Sequence, residues 1–256
     1  MKHHKVHSKR IIPISIVVPT YNEEKYLPKL LQSIKSQSVQ PVEIIVADNN
    51  STDNTTQIAK QFGAKVVQGG DVSTGRNSGV KHSSQDIIFA FDADVILKRT
   101  DDLLQLYEYF TTHKLDVANP IIELECNRCA PRIRFMNKFY KAIMHVSKAL
   151  KHPLLGVGPL TIFTKEYFYK VNGFSIEFSG NAEDLLFTKQ ARKLKMKYGV
   201  VPITITTSNR RFIKGTRQIL KVFMWGGLVG LLITLNIKNN KLLRLAKRIY
   251  GRMGGG

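Results

Sequence analysis

Residues 86–95 read Asp-Ile-Ile-Phe-Ala-Phe-Asp-Ala-Asp-Val, an apolar strand that ends in two carboxylates, Asp92 and Asp94. Two acids at the tip of a buried strand can bind a hard cation, because Mg²⁺ is commonly held by one or two carboxylates together with substrate phosphates. The alternative is a simple turn, since Asp is common where a chain leaves a strand. The pattern alone does not choose between these two interpretations.

Three further apolar segments precede this strand, at residues 14–18, 43–47 and 64–67. Helical patterns separate them, and this alternation favours βαβ units around a parallel sheet. Ligands bind at the carboxyl ends of such strands, so the polar loops 20–23, 48–53 and 92–94 are expected to meet at one edge. Neither a Gly-x-Gly-x-x-Gly pattern after the first strand nor a Walker A pattern is present. A metal on Asp92 and Asp94 would therefore hold the phosphates of a nucleotide in place of a glycine-rich loop.

The chain of 256 residues carries a formal net charge of +20. Its length fits one large domain or one domain with an appendage. The charge implies an anionic partner, which is a nucleic acid, an acidic lipid surface or a phosphorylated substrate. Cys126 and Cys129 have Cys-x-x-Cys spacing without the second pair that a zinc site needs. We expect two free thiols in an intracellular protein, with a reversible disulfide as the alternative. The basic N-terminus has no apolar region typical of a secretory signal.

Four segments in order carry a family resemblance: Val-Val-Pro-Thr-Tyr-Asn-Glu-Glu (17–24), Val-Ala-Asp-Asn-Asn-Ser-Thr-Asp-Asn-Thr (46–55), Gly-Arg-Asn-Ser-Gly (75–79) and Phe-Asp-Ala-Asp (91–94). The sequence resembles the family 2 glycosyltransferases of GT-A fold. The resemblance implies an α/β fold with a mostly parallel central sheet flanked by helices. We expect a basic tail (1–10), a GT-A domain (11–212) and a basic, apolar, helical C-terminal appendage (213–256). Within the domain, residues 11–98 would be the nucleotide-binding half and 99–212 the acceptor half.

For the donor, the resemblance implies a nucleotide-sugar pocket formed by Pro19, Thr20, Tyr21, Glu23, Asp48, Arg76 and Asp92. Asp92 and Asp94 would bind a divalent cation, Mn²⁺ or Mg²⁺, that stabilises the charge growing on the leaving diphosphate. Asp48 has an alternative role in its turn, and Arg76 has an alternative place on a solvated helix face. We expect Asp53 to brace the loop and the start of the next helix rather than to bind a ligand.

For the acceptor, the resemblance matches Glu183-Asp184 to the Glu-Asp motif of the family. In inverting members the Asp of this motif is the general base, which assigns that role to Asp184 and makes Glu183 its neighbour or an acceptor ligand. The alternative is that both acids stabilise the first turn of a helix. Diphosphate or acceptor contacts are expected from Gly158, Arg210 and Arg211. The Gln-x-x-Arg-Trp motif of processive members is missing, which argues against polymerising activity.

Two basic segments bear on the membrane. Residues 222–237 form an uncharged run of 16 residues with basic flanks. The run is short for a spanning helix, so an interfacial segment on anionic lipid is expected, with a core helix or a dimer interface as alternatives. Residues 128–150 are basic with interleaved aromatic residues, and they fit a helix against the membrane or the acceptor as well as a solvated face over a core stripe.

These features predict a glycosyltransferase that acts peripherally at the cytoplasmic face of a membrane, on an acceptor that suits lipid linkage. A nucleic-acid-binding protein is the alternative from another class, although no reader motif is recognisable, so no specific nucleic acid is expected. A catalytically inactive scaffold of the same fold is a third hypothesis. No residue distinguishes the sugar, the base, the acceptor or the oligomeric state.

Overall fold

The computed structural model describes residues 9–126, 131–154, 158–179 and 183–210. At the centre of this part of the chain is a sheet in the spatial order β3-β2-β1-β4-β7-β6-β8-β5. The strands are β1 (Arg10–Thr20), β2 (Val39–Asp48), β3 (Lys65–Gln68), β4 (Ile87–Phe91), β5 (Val95–Ile96), β6 (Val117–Leu124), β7 (Leu160–Thr164) and β8 (Tyr198–Thr207).

The first half of the sheet is parallel. Strand β1 pairs in parallel with β2 and with β4, and β2 pairs in parallel with β3. Three helices make the crossovers, namely α1 (Leu27–Lys35), α2 (Thr55–Gln61) and α3 (Val72–Lys81). The predicted βα alternation is therefore confirmed, and the carboxyl ends of β1, β2 and β4 lie at one edge.

The second half of the sheet is mixed. Strand β7 is antiparallel to β4 and β6, β8 is parallel to β6, and β5 is antiparallel to β8. The helices of this half are α4 (Asp102–Thr112), α5 (Pro131–Leu150), α6 (Lys165–Lys170) and α7 (Glu183–Lys193), with a 3-10 turn at Ile176–Phe178. The sequence alone predicts strands at Val117–Leu124 and at Val200–Thr207, which correspond to β6 and β8. It does not predict β7, the two-residue β5 or the short α6, and the last two are too brief to show a period.

The core forms where the sequence pattern places it. Strand β1 is buried on both faces over Ile14–Val18, which explains a continuous apolar run without alternation. Helix α1 buries Leu27, Leu30, Leu31 and Ile34, whose spacing in the sequence is that of one helix face. Helix α3 lies so close to β1 that a Cβ on Gly79 would come within 2.2 Å of Val17 Cγ1. Only glycine allows this approach, and it brings Arg76, three residues earlier, toward the carboxyl edge of the sheet.

One prediction is wrong and several fall outside the described residues. Cys126 is disulfide-bonded, whereas two free thiols were expected. That expectation rested on an intracellular redox compartment, which the residues themselves do not establish. The N-terminal tail to residue 8, Cys129, Arg211 and the segment 222–237 lie outside the described ranges. Within those ranges, no helix combines the length and apolarity that crossing a bilayer requires.

Candidate active site

The loops that follow β1 and β2 are joined by hydrogen bonds at the sheet edge. Asp48, the last residue of β2, is buried and accepts hydrogen bonds at Oδ1 from Thr20 Oγ1 (2.8 Å) and Ser51 Oγ (2.6 Å). Its Oδ2 accepts from the Ser51 amide at 2.8 Å. Asp48 therefore does fix the turn after β2, and its predicted contact with a base stays a prediction. Pro19, which precedes Thr20 in the chain, is half-buried, and Tyr21, which follows it, is exposed.

Asp53 braces the same loop, as predicted. Its Oδ1 accepts hydrogen bonds from the amide and the hydroxyl of Thr55 at the start of α2, at 2.9 and 2.5 Å. Its Oδ2 accepts from the Glu24 amide at 3.1 Å, which connects the loop after β1 to the loop after β2. Burial by itself would raise the pKa of Asp53, but the hydrogen bonds together outweigh burial and lower the pKa below its usual value.

The centre of the site is Arg76 of α3, whose side chain is 1% exposed. Its Nη1 donates to Asp184 Oδ1 at 2.6 Å and to Glu183 Oε1 at 3.1 Å. Its Nη2 donates to Asp92 Oδ1 at 2.8 Å and to the carbonyl of Gly158 at 3.1 Å. One guanidinium thus ties the loop after β4 to the first turn of α7 and to the strand entry before β7.

The electrostatics of this cluster keep Arg76 charged. Burial by itself would lower the pKa of Arg76, but Asp184, Asp92 and Glu183 outweigh that effect and raise the pKa above its usual value. Three carboxylates and one guanidinium leave a formal charge of −2, so the cluster as a whole attracts a cation. The face of the guanidinium lies 5.2 Å from the centroid of the Phe174 ring, which adds a cation–π contact.

Gly158 is required next to Asp184. A Cβ at position 158 would come within 1.9 Å of Asp184 Oδ2, a distance that no side chain can occupy. The carbonyl of Gly158 accepts from Arg76, so the residue contributes backbone only. This close packing fixes the Asp184 carboxylate between Arg76 and the chain that leads into β7.

A second arginine organises the other acid of the Asp-x-Asp pair. Asp94 Oδ2 lies 3.0 Å from Arg210 Nε and accepts from Ser208 Oγ at 2.5 Å, while its Oδ1 accepts from Thr207 Oγ1 at 3.1 Å. Arg210 donates through Nη1 and Nη2 to the two carboxylate oxygens of Glu23, each at 2.9 Å. The residues that follow β8 are thereby attached to both the first loop and the Asp-x-Asp pair.

The pKa values of this group follow from burial and pairing. Burial raises the pKa of Glu23 above its usual value, although the hydrogen bonds from Arg210 act in the opposite direction. For Arg210, burial lowers the pKa, but the carboxylates of Glu23 and Asp94 outweigh it and raise the pKa overall. The guanidinium also lies 4.6 Å from the centroid of the Tyr26 ring.

The donor set of Asp92 and Asp94 fits a divalent cation completed by ligands from a substrate. Asp92 is 21% exposed, and its Oδ2 accepts no hydrogen bond from the described residues. Carboxylate oxygens are the ligands that Mg²⁺ and Mn²⁺ prefer. Within the described ranges, no group of three or more His, Cys, Asp or Glu side chains is arranged to hold a metal. The remaining ligands of such a cation would be phosphate oxygens and water.

Several of the residues predicted for the site contact one another in the structure, and the sequence did not predict these contacts. Arg76 is not on a solvated helix face, and its described polar partners are carboxylates and a carbonyl. Arg210 pairs with acids in the same way. The predicted contacts of both arginines with a diphosphate stay predictions. The burial of Arg76 could have been predicted from its position between Gly75 and Gly79. Glycines at this spacing allow a helix to pack closely on the sheet, and the residues between them are then buried.

The family is settled by a sequence comparison. The family model for glycosyl transferase family 2 matches residues 15–170, more than half of the chain. The chain belongs to this family.

Two curated relatives are enzymes called 4,4'-diaponeurosporenoate glycosyltransferase. The one from Staphylococcus haemolyticus is 42% identical over 93 residues, which cover 33% of this chain and 24% of the relative. The one from Staphylococcus aureus is 38% identical over 96 residues, which cover 34% and 25%. This chain therefore matches about a quarter of the length of these relatives.

Solved structures confirm the predicted fold class. Mannosyltransferase PcManGT from Pyrobaculum calidifontis, in complex with GDP-Man and Mn²⁺, has a TM-score of 0.70 at 14% identity, over 95% of this chain and 76% of that one. TarS from S. aureus (residues 1–349) has a TM-score of 0.62 at 22% identity, over 94% and 70%. Glucosyl-3-phosphoglycerate synthase from Mycobacterium tuberculosis, in complex with Mn²⁺, UDP and glucosyl-3-phosphoglycerate, has a TM-score of 0.61 at 18% identity, over 89% and 81%.

Proposed function

We propose that this protein transfers a glycosyl group from a nucleotide-sugar to an acceptor hydroxyl, with inversion at the anomeric carbon. The observation that carries the proposal is the Arg76 cluster, which brings Asp92 and the Glu183-Asp184 pair together across more than 90 residues of sequence. A leaving-group site and a base must be adjacent for such a transfer. Family membership supports the reaction class, and two of the similar structures were solved with Mn²⁺ and a nucleotide or nucleotide-sugar.

On the donor side, Asp92 and Asp94 would hold Mn²⁺ or Mg²⁺. When bound, the cation stabilises the negative charge of the departing nucleoside diphosphate. The loop residues Pro19, Thr20 and Tyr21, with Glu23 and Asp48, would line the nucleotide pocket. Ser208 and Thr207 orient Asp94 by hydrogen bonds to both of its carboxylate oxygens, which keeps this ligand in one position.

On the acceptor side, Asp184 accepts the proton of the acceptor hydroxyl. The acceptor oxygen then attacks the anomeric carbon from the face opposite the diphosphate, and the bond from that carbon to the phosphate oxygen breaks. Arg76 orients Asp184 through its 2.6 Å contact with Oδ1. Because Arg76 also holds Asp92, it fixes the separation between the base and the leaving-group site. Glu183 shares the same guanidinium nitrogen and would contact the acceptor.

The test is an assay of nucleoside diphosphate release with Mn²⁺, with nucleotide binding followed separately by thermal shift. Asp184→Asn should reduce transfer by about a hundredfold or more while nucleotide binding is kept, because general base catalysis typically contributes 10²–10⁴-fold. Asp94→Ala should weaken Mn²⁺-dependent nucleotide binding. Asp86→Asn is the control, since it removes the same charge from an exposed position before β4. Full transfer by Asp184→Asn would place the base elsewhere.

We further propose an acceptor presented at a membrane, such as a lipid-linked alcohol, with the protein at the cytoplasmic face. The net charge of +20 supports an anionic surface as partner. The competing hypothesis of nucleic-acid binding predicts an affinity for DNA or RNA that falls steeply with salt, whereas a lipid partner predicts flotation with anionic vesicles.

A further inference from the structure

Helix α5 has a core-facing side that is well anchored. Ile133 and Met136 are buried against Leu124 in a small cluster of their own. Asn137 forms two hydrogen bonds with the backbone of Leu124, from its Nδ2 to the carbonyl (3.1 Å) and to its Oδ1 from the amide (2.8 Å). Met144, two turns later, joins the main core. The orientation of α5 about its axis is therefore fixed.

The side of α5 that faces away from the core carries a strip of solvent-exposed apolar side chains. Phe135 is 65% exposed, Val146 48% and Leu150 59%, and Ala142 and Ala149 are exposed between them. At 100° per residue these five positions fall within about a third of the helix circumference. Large apolar side chains exposed singly are ordinary, but a continuous strip of them indicates an interaction surface.

A basic strip runs beside the apolar strip. Its members are Arg134, Lys138, Lys141, His145 and Lys148, all of them exposed. Residues 131–154 contain no Asp or Glu. No Lys or Arg of the strip forms a salt bridge with a described residue. The outward half of α5 is thus divided lengthwise into an uncompensated cationic side and an apolar side.

We propose that this face of α5 lies on the surface of an anionic lipid bilayer. Helices that lie in the interface pair an apolar strip with Lys and Arg, so that the apolar side chains enter the headgroup boundary while the cations meet lipid phosphates. A nucleic acid would account for the basic strip but leave the apolar strip in water. Residues 211–256 carry ten Lys and Arg and no acid, so they supply no negative charge that could compensate the basic strip.

Helix α5 is connected to the candidate site through the residues that follow β6 and β8. Asn137 attaches α5 to the carboxyl end of β6, and the next residue, Glu125, accepts at its carbonyl a hydrogen bond from Asn209. Asn209 follows Ser208, which binds Asp94. Helix α5 is therefore linked to the Asp94 side of the candidate site through the carboxyl end of β6. This inference deepens the proposed function, because it names the surface through which a lipid-linked acceptor would be reached.

The experiment is flotation of the full-length protein with vesicles of phosphatidylcholine, with and without phosphatidylglycerol, in the absence of any sugar donor. The first variant replaces three members of the apolar strip with a good helix former: Phe135→Gln, Val146→Gln and Leu150→Gln. Its affinity for the anionic vesicles should fall at least about tenfold, because the apolar contribution to interfacial binding is removed.

The second variant removes three charges, by Lys138→Gln, Lys141→Gln and Lys148→Gln. Each Lys near an anionic surface increases the affinity for the vesicles about fivefold, so the three substitutions should reduce that affinity on the order of a hundredfold. With vesicles of phosphatidylcholine alone, the variant and the unmodified protein should not differ. All three side chains are exposed, so the fold is kept and a thermal melt checks it.

The charge-matched control replaces three exposed lysines of the helices that flank the parallel half of the sheet: Lys29→Gln, Lys60→Gln and Lys81→Gln. It should float like the unmodified protein. If the control loses as much affinity as the α5 charge variant, binding follows net charge and the proposal is wrong. If both α5 variants float normally, or the unmodified protein does not float at all, α5 is not the lipid-binding surface. The proposed glycosyl transfer stands or falls separately, because it is measured with a soluble donor.

Discussion

Arg76→Gln is the sharpest test of the site, because one side chain carries its internal electrostatics. The guanidinium is 1% exposed and contacts three carboxylates and a carbonyl at 2.6–3.1 Å. Glutamine has neither the charge nor the reach to replace these contacts. The substitution leaves Asp92, Glu183 and Asp184 as buried or half-buried acids that repel one another without a cation between them.

The cost follows from the burial of the pair. Removing one partner of a buried ion pair typically costs about 3–5 kcal/mol, because the charge that remains has lost its compensation. We expect a loss at the upper end of this range, since three acids are affected instead of one. For a domain of this size, about 2–4 °C of melting temperature is lost per kcal/mol, so a loss of about 5 kcal/mol gives a decrease of roughly 10–20 °C. The loss should be smaller at low pH, because protonation of a carboxyl removes part of the repulsion.

The assay is thermal unfolding at neutral pH and near pH 5, with Arg99→Gln as the matched control. Arg99 pairs with Asp101 on the surface, with side chains 65% and 41% exposed, so its replacement should cost less than about 1 kcal/mol. Arg76→Lys keeps the charge without the fork of donors and should fall between the two. Equal melting temperatures for Arg76→Gln and Arg99→Gln would refute the view that Arg76 holds the site together.

Three other predictions concern single contacts. Gly158→Ala should displace the Asp184 carboxylate, which a Cβ would approach to 1.9 Å, and should reduce nucleoside diphosphate release while nucleotide binding survives in a thermal-shift assay. Burial raises the pKa of Tyr198 above its usual 10.0, so this tyrosine ionises in the unfolded chain at a lower pH than in the folded protein. The free energy of unfolding should therefore decrease above about pH 10, by up to about 1.4 kcal/mol per pH unit. In the Tyr198→Phe variant this decrease should be less steep in the same melts. Arg210→Gln removes the cation 3.0 Å from Asp94 and should tighten Mn²⁺ binding in the absence of donor by about fivefold, as measured by titration calorimetry; weaker binding would contradict the assignment of Asp94 as a ligand.

Much of the fold was accessible from the sequence because local patterns determine it. The apolar run Val117–Leu124 predicts a strand with the observed bounds of β6. The acids at 101 and 102 predict a helix from Thr100 to about Thr112, which begins two residues before the observed α4. Gly63 is the residue expected after the end of α2, and it adopts a φ of +78° there. Strands β1 and β2 are longer than predicted, because their first residues are partly exposed and break the apolar run while still pairing with each other.

The candidate residues of the site were named from the sequence one by one, but the contacts among them were not predicted. Arg76 meets Asp92 across 16 positions and Asp184 across 108, and no periodicity connects such distant positions. Arg210 and Glu23 are 187 positions apart. A fully buried guanidinium needs carboxylates to compensate its charge, but which carboxylates these are depends on how α7 and β8 pack on the sheet. Tertiary packing, unlike strand or helix periodicity, leaves no local signal in the sequence.

The two arginines divide five acids between them, and this division bears on the order of binding. Arg76 serves Asp92, Glu183 and Asp184, while Arg210 serves Asp94 and Glu23. Five carboxylates and two guanidinium groups give a formal charge of −3 if all are ionised. A nucleoside diphosphate is itself an anion, so the site without a cation would repel the proposed donor. For the proposed reaction, a divalent cation on Asp92 and Asp94 therefore does more than stabilise the leaving group. The cation would reduce the formal charge of the group from −3 to −1 and would place a positive centre beside the phosphates of the donor, so that an anionic donor could bind next to acids that are needed as base and ligands.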